Sequence, residues 1–122
     1  MIGIGGFFGS ILRYLLSGFV QGLSGSISFP YGTFIVNLTG CFFIGLLSHL
    51  SESMGLFSGS SRAFVFVGVL GGFTTFSAFS NETFNLLRDG ERFVALLNMS
   101  GQVVIGLAFV WFGRVAAFCL WR

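Results

Sequence analysis

The scarcity of charged residues constrains this chain more than any other feature of its sequence. Only 8% of its 122 residues are charged and 54% are hydrophobic, and the mean hydropathy is +0.92. Soluble domains carry about 25% charged residues, so a chain this poor in charge cannot cover a globular surface with polar groups. Its surroundings must be largely lipid, and the sequence predicts a membrane protein.

The apolar residues fall into four stretches separated by short polar or charged segments. A membrane-spanning helix needs roughly 20 apolar residues, so the chain has room for about four. Proline suits the first turn of a helix, and the only proline, Pro30, precedes the second stretch. Gly90, in the charged turn 88–92, predicts a helix stop. The sequence predicts one all-α domain, residues 1–122, with loops at about 21–28 and 51–61 and spans at about 3–19, 31–50, 62–87 and 93–118.

The basic residues are scattered, so no basic patch predicts a nucleic-acid partner. They are also nearly balanced between the two membrane sides. One side holds Arg88 and Arg92, and the other holds Arg62 and Arg122, with Arg13 and Arg114 if their side chains reach that interface. A strong bias of basic residues would fix one orientation. Without it, the chain could insert both ways and pair with an inverted copy, although a single orientation is the alternative.

Two polar residues lie one helical turn apart in the second predicted span. Thr33 and Asn37 are four residues apart and therefore share a helix face. Polar side chains within spans are unfavourable in lipid and mark functional sites by default. The Asn37 amide offers two donor hydrogens. The same residue would also suit a hydrogen bond that joins two helices, and both interpretations remain open.

The middle of the third predicted span is poorly suited to a continuous helix. The segment 71–75 reads Gly-Gly-Phe-Thr-Thr, and glycine and threonine both have low helix propensity. The sequence therefore predicts a broken helix that is buried in protein or lines a cavity. Unwound backbone carbonyls are suitable ligands for a hard cation such as Na⁺. Alternatively, the glycines only permit close helix packing, which is also the interpretation of the motifs Gly5-xxx-Gly9, Gly18-xxx-Gly22 and Gly68-xxx-Gly72.

Aromatic and hydroxyl residues follow this predicted break. Phe76, Phe79 and Glu82 are three residues apart along one helix face. A phenylalanine pair at this spacing is usually lipid-facing or part of a core. The neighbouring hydroxyls of Ser77 and Ser80 favour an ion path instead.

The fourth predicted span contributes a second polar face. Asn98 and Gln102 are four residues apart, and Gly106 continues the same face. This pattern is typical of a water-lined or ion-lined path, and equally of hydrogen bonds between helices.

No set of side chains predicts an enzyme. His49 lies at the end of a span without a second metal ligand nearby, and all carboxylates are expected at or near water: Glu52, Glu82, Asp89 and Glu91. A small proton-coupled multidrug exporter would need a carboxylate buried in the first span, whose only charged residue is Arg13. The sequence favours passive flow, with a non-conducting assembly subunit as a further alternative.

Three motifs resemble the signatures of the CrcB/Fluc fluoride channel family, in order and over the whole chain. The matching segments are Gly5-Gly6-xx-Gly9-xxx-Arg13-Tyr14, Gly32-Thr33-xx-Val36-Asn37-xx-Gly40 and the continuous run from Gly71 to Glu82. The third motif is the longest and the most specific of them.

The resemblance implies a dual-topology homodimer of antiparallel copies in a prokaryotic inner membrane, with two pores that export fluoride passively and so reduce its toxicity. It implies that Phe76 and Phe79 line the pore and that Asn37 faces the same path. It further implies a structural Na⁺ on the backbone carbonyls of Gly71 and Thr74.

The fourth span departs from this pattern. Many relatives carry a tyrosine and serines where this chain has Asn98, Gln102 and Gly106, and usually Thr or Ser at the position of Ala78. Amide donors could substitute for the hydroxyls.

Overall fold

The computed structural model describes residues 1–25, 29–55 and 57–120. Within these ranges every regular element is a helix. The elements are α1 (Ile2–Ser24), α2 (Tyr31–Met54), α3 (Gly59–Arg62), a π-helix (Ala63–Leu70), α4 (Gly71–Phe73), α5 (Phe76–Arg88) and α6 (Arg92–Leu120).

The third span is assembled from several short helices. The elements from α3 to α5 join into one bent segment, Gly59–Arg88, and the described residues then contain four segments long and apolar enough to cross a membrane. The predicted all-α architecture with four spans is confirmed, and the chain is a multi-pass membrane protein.

The spans are longer than the sequence predicted. Helix α1 continues to Ser24 and includes Gln21, which the sequence placed in a loop. Gln21 remains helical because its side chain joins the two spans: its amide donates to the Phe29 carbonyl (3.2 Å) and accepts from the Gly32 N–H (2.9 Å). The remainder of that predicted loop, 26–28, lies outside the described residues.

The second connection is also shorter than predicted, because α2 ends at Met54 and α3 begins at Gly59. Leu56 and the chain end from residue 121 lie outside the described part. Gly55 has a left-handed φ of 61° and its N–H donates to the Ser51 carbonyl, which closes α2. Gly90 has a φ of 81° in the turn after α5, so the predicted helix stop there is confirmed.

Glycines allow α1 to pack directly on the backbone of the third span. A Cβ atom on Gly5 would lie 2.9 Å from the Cα atom of Gly68, and one on Gly9 would collide with the carbonyl oxygen of Val69. The predicted packing role of these two motifs, 5–9 and 68–72, is confirmed. The packing role predicted for Gly18-xxx-Gly22 is wrong within this chain. No described atom lies within 4 Å of a Cβ atom added at either glycine.

Helices α2 and α6 form the second close pair. A side chain on Gly45 would collide with the backbone of Val110, and one on Gly113 with the backbone of Phe42. Val36 is fully buried near this pair. Helix α1 packs on the third span and also directly on α2, where a Cβ atom on Gly32 would collide with the Ser17 carbonyl oxygen. The helix break faces α2, because Asn37 contacts Thr75.

Candidate functional site at the helix break

The break in the third span lies at two threonines. Thr74 (φ −87°, ψ 158°) and Thr75 (φ −150°, ψ 119°) are extended, whereas Gly71 is helical (φ −63°, ψ −39°). The predicted broken helix is confirmed, but the break follows the glycines instead of including them. Thr75 is the N-cap of α5, since its side-chain oxygen accepts from the Ala78 N–H (3.2 Å). Gly72 instead permits close packing, with an added Cβ only 2.9 Å from the Gly6 carbonyl oxygen.

Asn37 of α2 holds the broken segment in place. Its Oδ1 accepts from the Thr75 N–H (2.9 Å), and its Nδ2 donates to the Thr75 carbonyl (3.1 Å). Nδ2 also donates to Oε1 of Gln102 on α6 (3.1 Å). One amide therefore connects α2, the break and α6, and its oxygen satisfies the Thr75 N–H, which the interrupted helix leaves without a helical partner.

A cavity of about 400 Å³ opens at this junction. Its lining combines amide and hydroxyl groups with aromatic rings and small residues. Six residues predicted as site residues from the sequence line it: Asn37, Gly71, Thr74, Phe76, Phe79 and Gln102. The structure thus brings together side chains from three spans that are widely separated in sequence.

The two phenylalanines of the cavity are neighbours. The ring centroids of Phe76 and Phe79 are 5.6 Å apart with an interplanar angle of 58°. Phe76 is 78% exposed, while Phe79 is only partly exposed. The cavity is therefore bordered on one side by an aromatic ring that is largely exposed.

A second cavity, of about 560 Å³, lies on the other side of the break. Thr33 and Ser77 line it together with Arg13 and Glu82. The hydroxyl of Thr33 donates to Oε1 of Glu82 (2.7 Å). Thr75 lines both cavities, so the two open spaces approach each other at the N-cap of α5.

Comparison with known proteins agrees with the sequence motifs. The chain matches the protein family described as CrcB-like protein, Camphor Resistance (CrcB), over residues 1–114. The chain belongs to this CrcB-like family. The resemblance noted in the sequence is confirmed.

Among the similar proteins is Fluoride-specific ion channel FluC 1 of Methanosarcina acetivorans, 44% identical over 96% of this chain and 88% of the relative. Fluoride-specific ion channel FluC of Geotalea daltonii is 48% identical over 95% of this chain and 93% of the relative. A protein of the same name from Opitutus terrae is 48% identical over 95% of this chain and 89% of the relative. These similarities extend over almost the whole chain.

The two polar residues of the fourth span lie in different environments in this CrcB-like chain. Gln102 lines the first cavity, whereas Asn98 is fully buried and donates to the Thr83 hydroxyl (2.8 Å). Asn98 lines neither of the two cavities at the break, and neither does Ser80. The predicted polar face of α6 is thus divided between a cavity residue and a hydrogen bond that joins α6 to α5.

Glu82 is partly exposed and lines the second cavity. One of its carboxylate oxygens, Oε2, is shielded from solvent and has no hydrogen-bond partner among the described residues. The bend after Thr75 turns Glu82 toward Thr33 of α2. Glu52 does lie at the surface, where it pairs with Arg114 (2.5 Å).

Two cavity features were missed by the sequence analysis. Cys41 lines the first cavity, and its position four residues after Asn37 on the same helix face could have indicated this. The sequence assigned Thr75 only to the break. Its N-cap role could have been inferred because threonine is favoured at that position.

Proposed function

We propose that this CrcB-like protein is a fluoride-selective channel that lets fluoride leave the cytoplasm passively. The observation that carries the proposal is the cavity at the helix break, where amides from two spans and a phenylalanine pair converge. Relatives that match nearly the whole chain are named fluoride-specific ion channels. The proposed activity is transport down a gradient across the inner membrane, without an enzymatic step.

The residue types at the break suit a small anion. Fluoride holds its water strongly, so a path must replace that water with close hydrogen-bond donors. Amide and hydroxyl hydrogens can do so, and the edge of an aromatic ring is also positive. Among the residues that the structure describes, no guanidinium group lines the first cavity. This suits conduction, because an ion in a channel must bind weakly enough to leave again.

We further propose that two copies associate in opposite orientations. Phe76 is highly exposed beside a cavity that contains buried polar groups, and Gly71 is exposed on the same lining. A second copy would cover this surface and complete the wall of the cavity. The near balance of arginines between the two membrane sides permits both orientations.

We also propose that a sodium ion binds at the break between such copies, held by the backbone carbonyls of Gly71 and Thr74 from both copies. In a continuous helix the Thr75 N–H would donate to the Gly71 carbonyl, but here it donates to Asn37 (2.9 Å). The Gly71 oxygen is therefore released from its helical partner, and Thr74 is extended. Oxygen ligands of this kind suit hard cations. When bound, the ion supplies positive charge that offsets repulsion between two nearby anion paths.

Fluoride efflux from liposomes that contain the purified protein tests the proposed function. Liposomes loaded with fluoride should release it rapidly when a potassium ionophore balances the charge, and protein-free liposomes should not. Chloride-loaded liposomes are the matched control and should retain their chloride. A protein that releases neither ion, or both at similar rates, would contradict the proposal.

A further inference from the structure

The third span enters the break as a π-helix that extends over eight residues, Ala63–Leu70. A π-helix joins each carbonyl to the N–H five residues later, and it usually occurs as a single turn inside an α-helix. At its end, the Gly71 N–H donates to the carbonyls of Phe66, five residues earlier, and of Gly68. An α-helix would pair this N–H with Val67, four residues earlier. The third span therefore carries at least one extra residue before the break.

The composition of this segment leaves its helical form to its contacts. Four of its eight residues have low α-helix propensity, namely Val65, Val67, Gly68 and Val69. Helix α1 supplies the contacts, because a Cβ atom on Gly5 would collide with the Phe64 carbonyl oxygen and lie 2.9 Å from the Val69 nitrogen. These two backbone groups are five residues apart, which is the interval that a π-helix bonds. The α1 backbone thus packs against both ends of a π-helical turn.

The extra residue determines which way the break faces. In the observed register Gly72 faces α1, where an added Cβ would lie 2.9 Å from the Gly6 carbonyl oxygen. Gly71 and Thr74 line the first cavity. One residue corresponds to about 100° of rotation in an α-helix. If the same residues formed an α-helix, the segment after Leu70 would turn by about one residue, and Gly71 and Thr74 would leave the cavity.

We propose that the π-helix sets the register of the break: α1 holds the third span one residue out of α-helical register, and this register directs Gly71 and Thr74 to the ion path. The role is one of positioning. The inference rests on the proposed function for the nature of the path, whereas the register is a property of the fold and is measured separately.

Deletion of Val67 tests the proposed register. Val67 lies within the π-helix and is 59% exposed. Its removal shortens the interval from Phe66 to Gly71 from five residues to four, so the same two backbone groups can form an ordinary α-helical bond. The residues on both sides of the deletion then keep their directions. The shortened protein should fold and release fluoride at a rate close to that of the parent.

Deletion of Leu107 is the matched control. This residue is also an exposed aliphatic residue (68%), but it lies in the α-helix α6. A missing residue there turns the following part of the helix by about 100° and removes Gly113 from its contact with the Phe42 backbone. The protein without Leu107 should unfold at a lower temperature than the protein without Val67, and it should lose fluoride efflux.

A disulfide reports the direction of Thr74 without a transport measurement. A Cβ atom on Gly40 of α2 would lie 3.7 Å from the Thr74 Cβ atom, which is close to the separation found across disulfides. Gly40→Cys with Thr74→Cys, after Cys41 and Cys119 are replaced by alanine, should form a disulfide on mild oxidation. The bond should also form in the protein without Val67. It should fail when an alanine is inserted after Val67, because the added residue turns Thr74 away.

The outcomes separate this inference from the proposed function. A disulfide and fluoride efflux that survive deletion of Val67, and are both lost on insertion of alanine, support the inference. A disulfide that is lost with Val67, kept despite the insertion or absent from the parent overturns it and leaves the channel function standing. The same holds if the protein without Val67 conducts no fluoride, or is no more stable than the protein without Leu107. A parent that releases no fluoride overturns the proposed function, while the disulfide and unfolding measurements still test the register.

Discussion

At the scale of single residues, the buried amides of this protein divide between two tasks. Asn98 is fully buried and joins α6 to α5 through Thr83. Asn37 and Gln102 form their own hydrogen-bonded pair beside the cavity. The sequence could identify these amides as unusual within spans, but not which of them face a cavity, because that depends on how each helix is rotated against its neighbours.

The proposed sodium site gives a prediction at the same scale. Thr74→Ser should conduct nearly like the parent, because the proposed ligand is the backbone carbonyl and serine keeps a hydroxyl that can donate to Leu70. Replacement of all sodium by potassium should slow fluoride efflux from liposomes in both proteins. Gly71→Ala is not expected to act by restoring a helix, because Gly71 is already helical. Undiminished efflux in rigorously sodium-free solution would count against the site.

At the scale of helices, close backbone contact determines where the broken span lies. Gly9 and Gly3 of α1 offer a matched comparison. Gly9→Ala would collide with the Val69 carbonyl, whereas no described atom lies within 4 Å of a Cβ at Gly3.

Thermal unfolding in detergent should separate these two variants. Overpacking of this kind lowers stability by about 1–3 kcal/mol, so Gly9→Ala should unfold at a lower temperature. Gly3→Ala should be neutral or slightly stabilising, because alanine is favoured over glycine in helices by about 1 kcal/mol. Equal unfolding temperatures would show that α1 does not pack against the third span through Gly9.

The sequence predicted the helices well because hydropathy and the residues that begin and end helices are local features of the sequence. Pro30 and Gly90 lie at helix ends as expected, and the segment 71–75 did indicate the break. The exact position of the break was not predictable from propensity. It depends on Asn37, 38 residues earlier in the chain, whose amide pairs with the backbone of Thr75. The extension of α1 through Gln21 has a similar tertiary cause.

At the scale of the whole molecule, the proposed antiparallel dimer predicts that both orientations occur in one membrane. A single cysteine can be introduced into the turn 88–92 after Cys41 and Cys119 are replaced. Roughly half of the molecules should then react with an impermeant thiol reagent from outside intact cells, and the rest only after permeabilisation. Labelling from one side alone would exclude dual topology.

The account as a whole depends on fluoride passing the aromatic side of the cavity, and Phe76→Ile and Phe79→Ile test this most directly. Isoleucine keeps most of the bulk, and such swaps typically lower stability by less than about 1.5 kcal/mol, so the protein should still fold and assemble. The substitution removes the positive edge of the aromatic ring. If that edge stabilises the ion by about 1.4 kcal/mol, fluoride efflux from liposomes should fall by about tenfold or more. Phe109→Ile, at a phenylalanine outside both cavities, should conduct like the parent. Parent-like efflux from both the Phe76 and Phe79 variants would contradict the account.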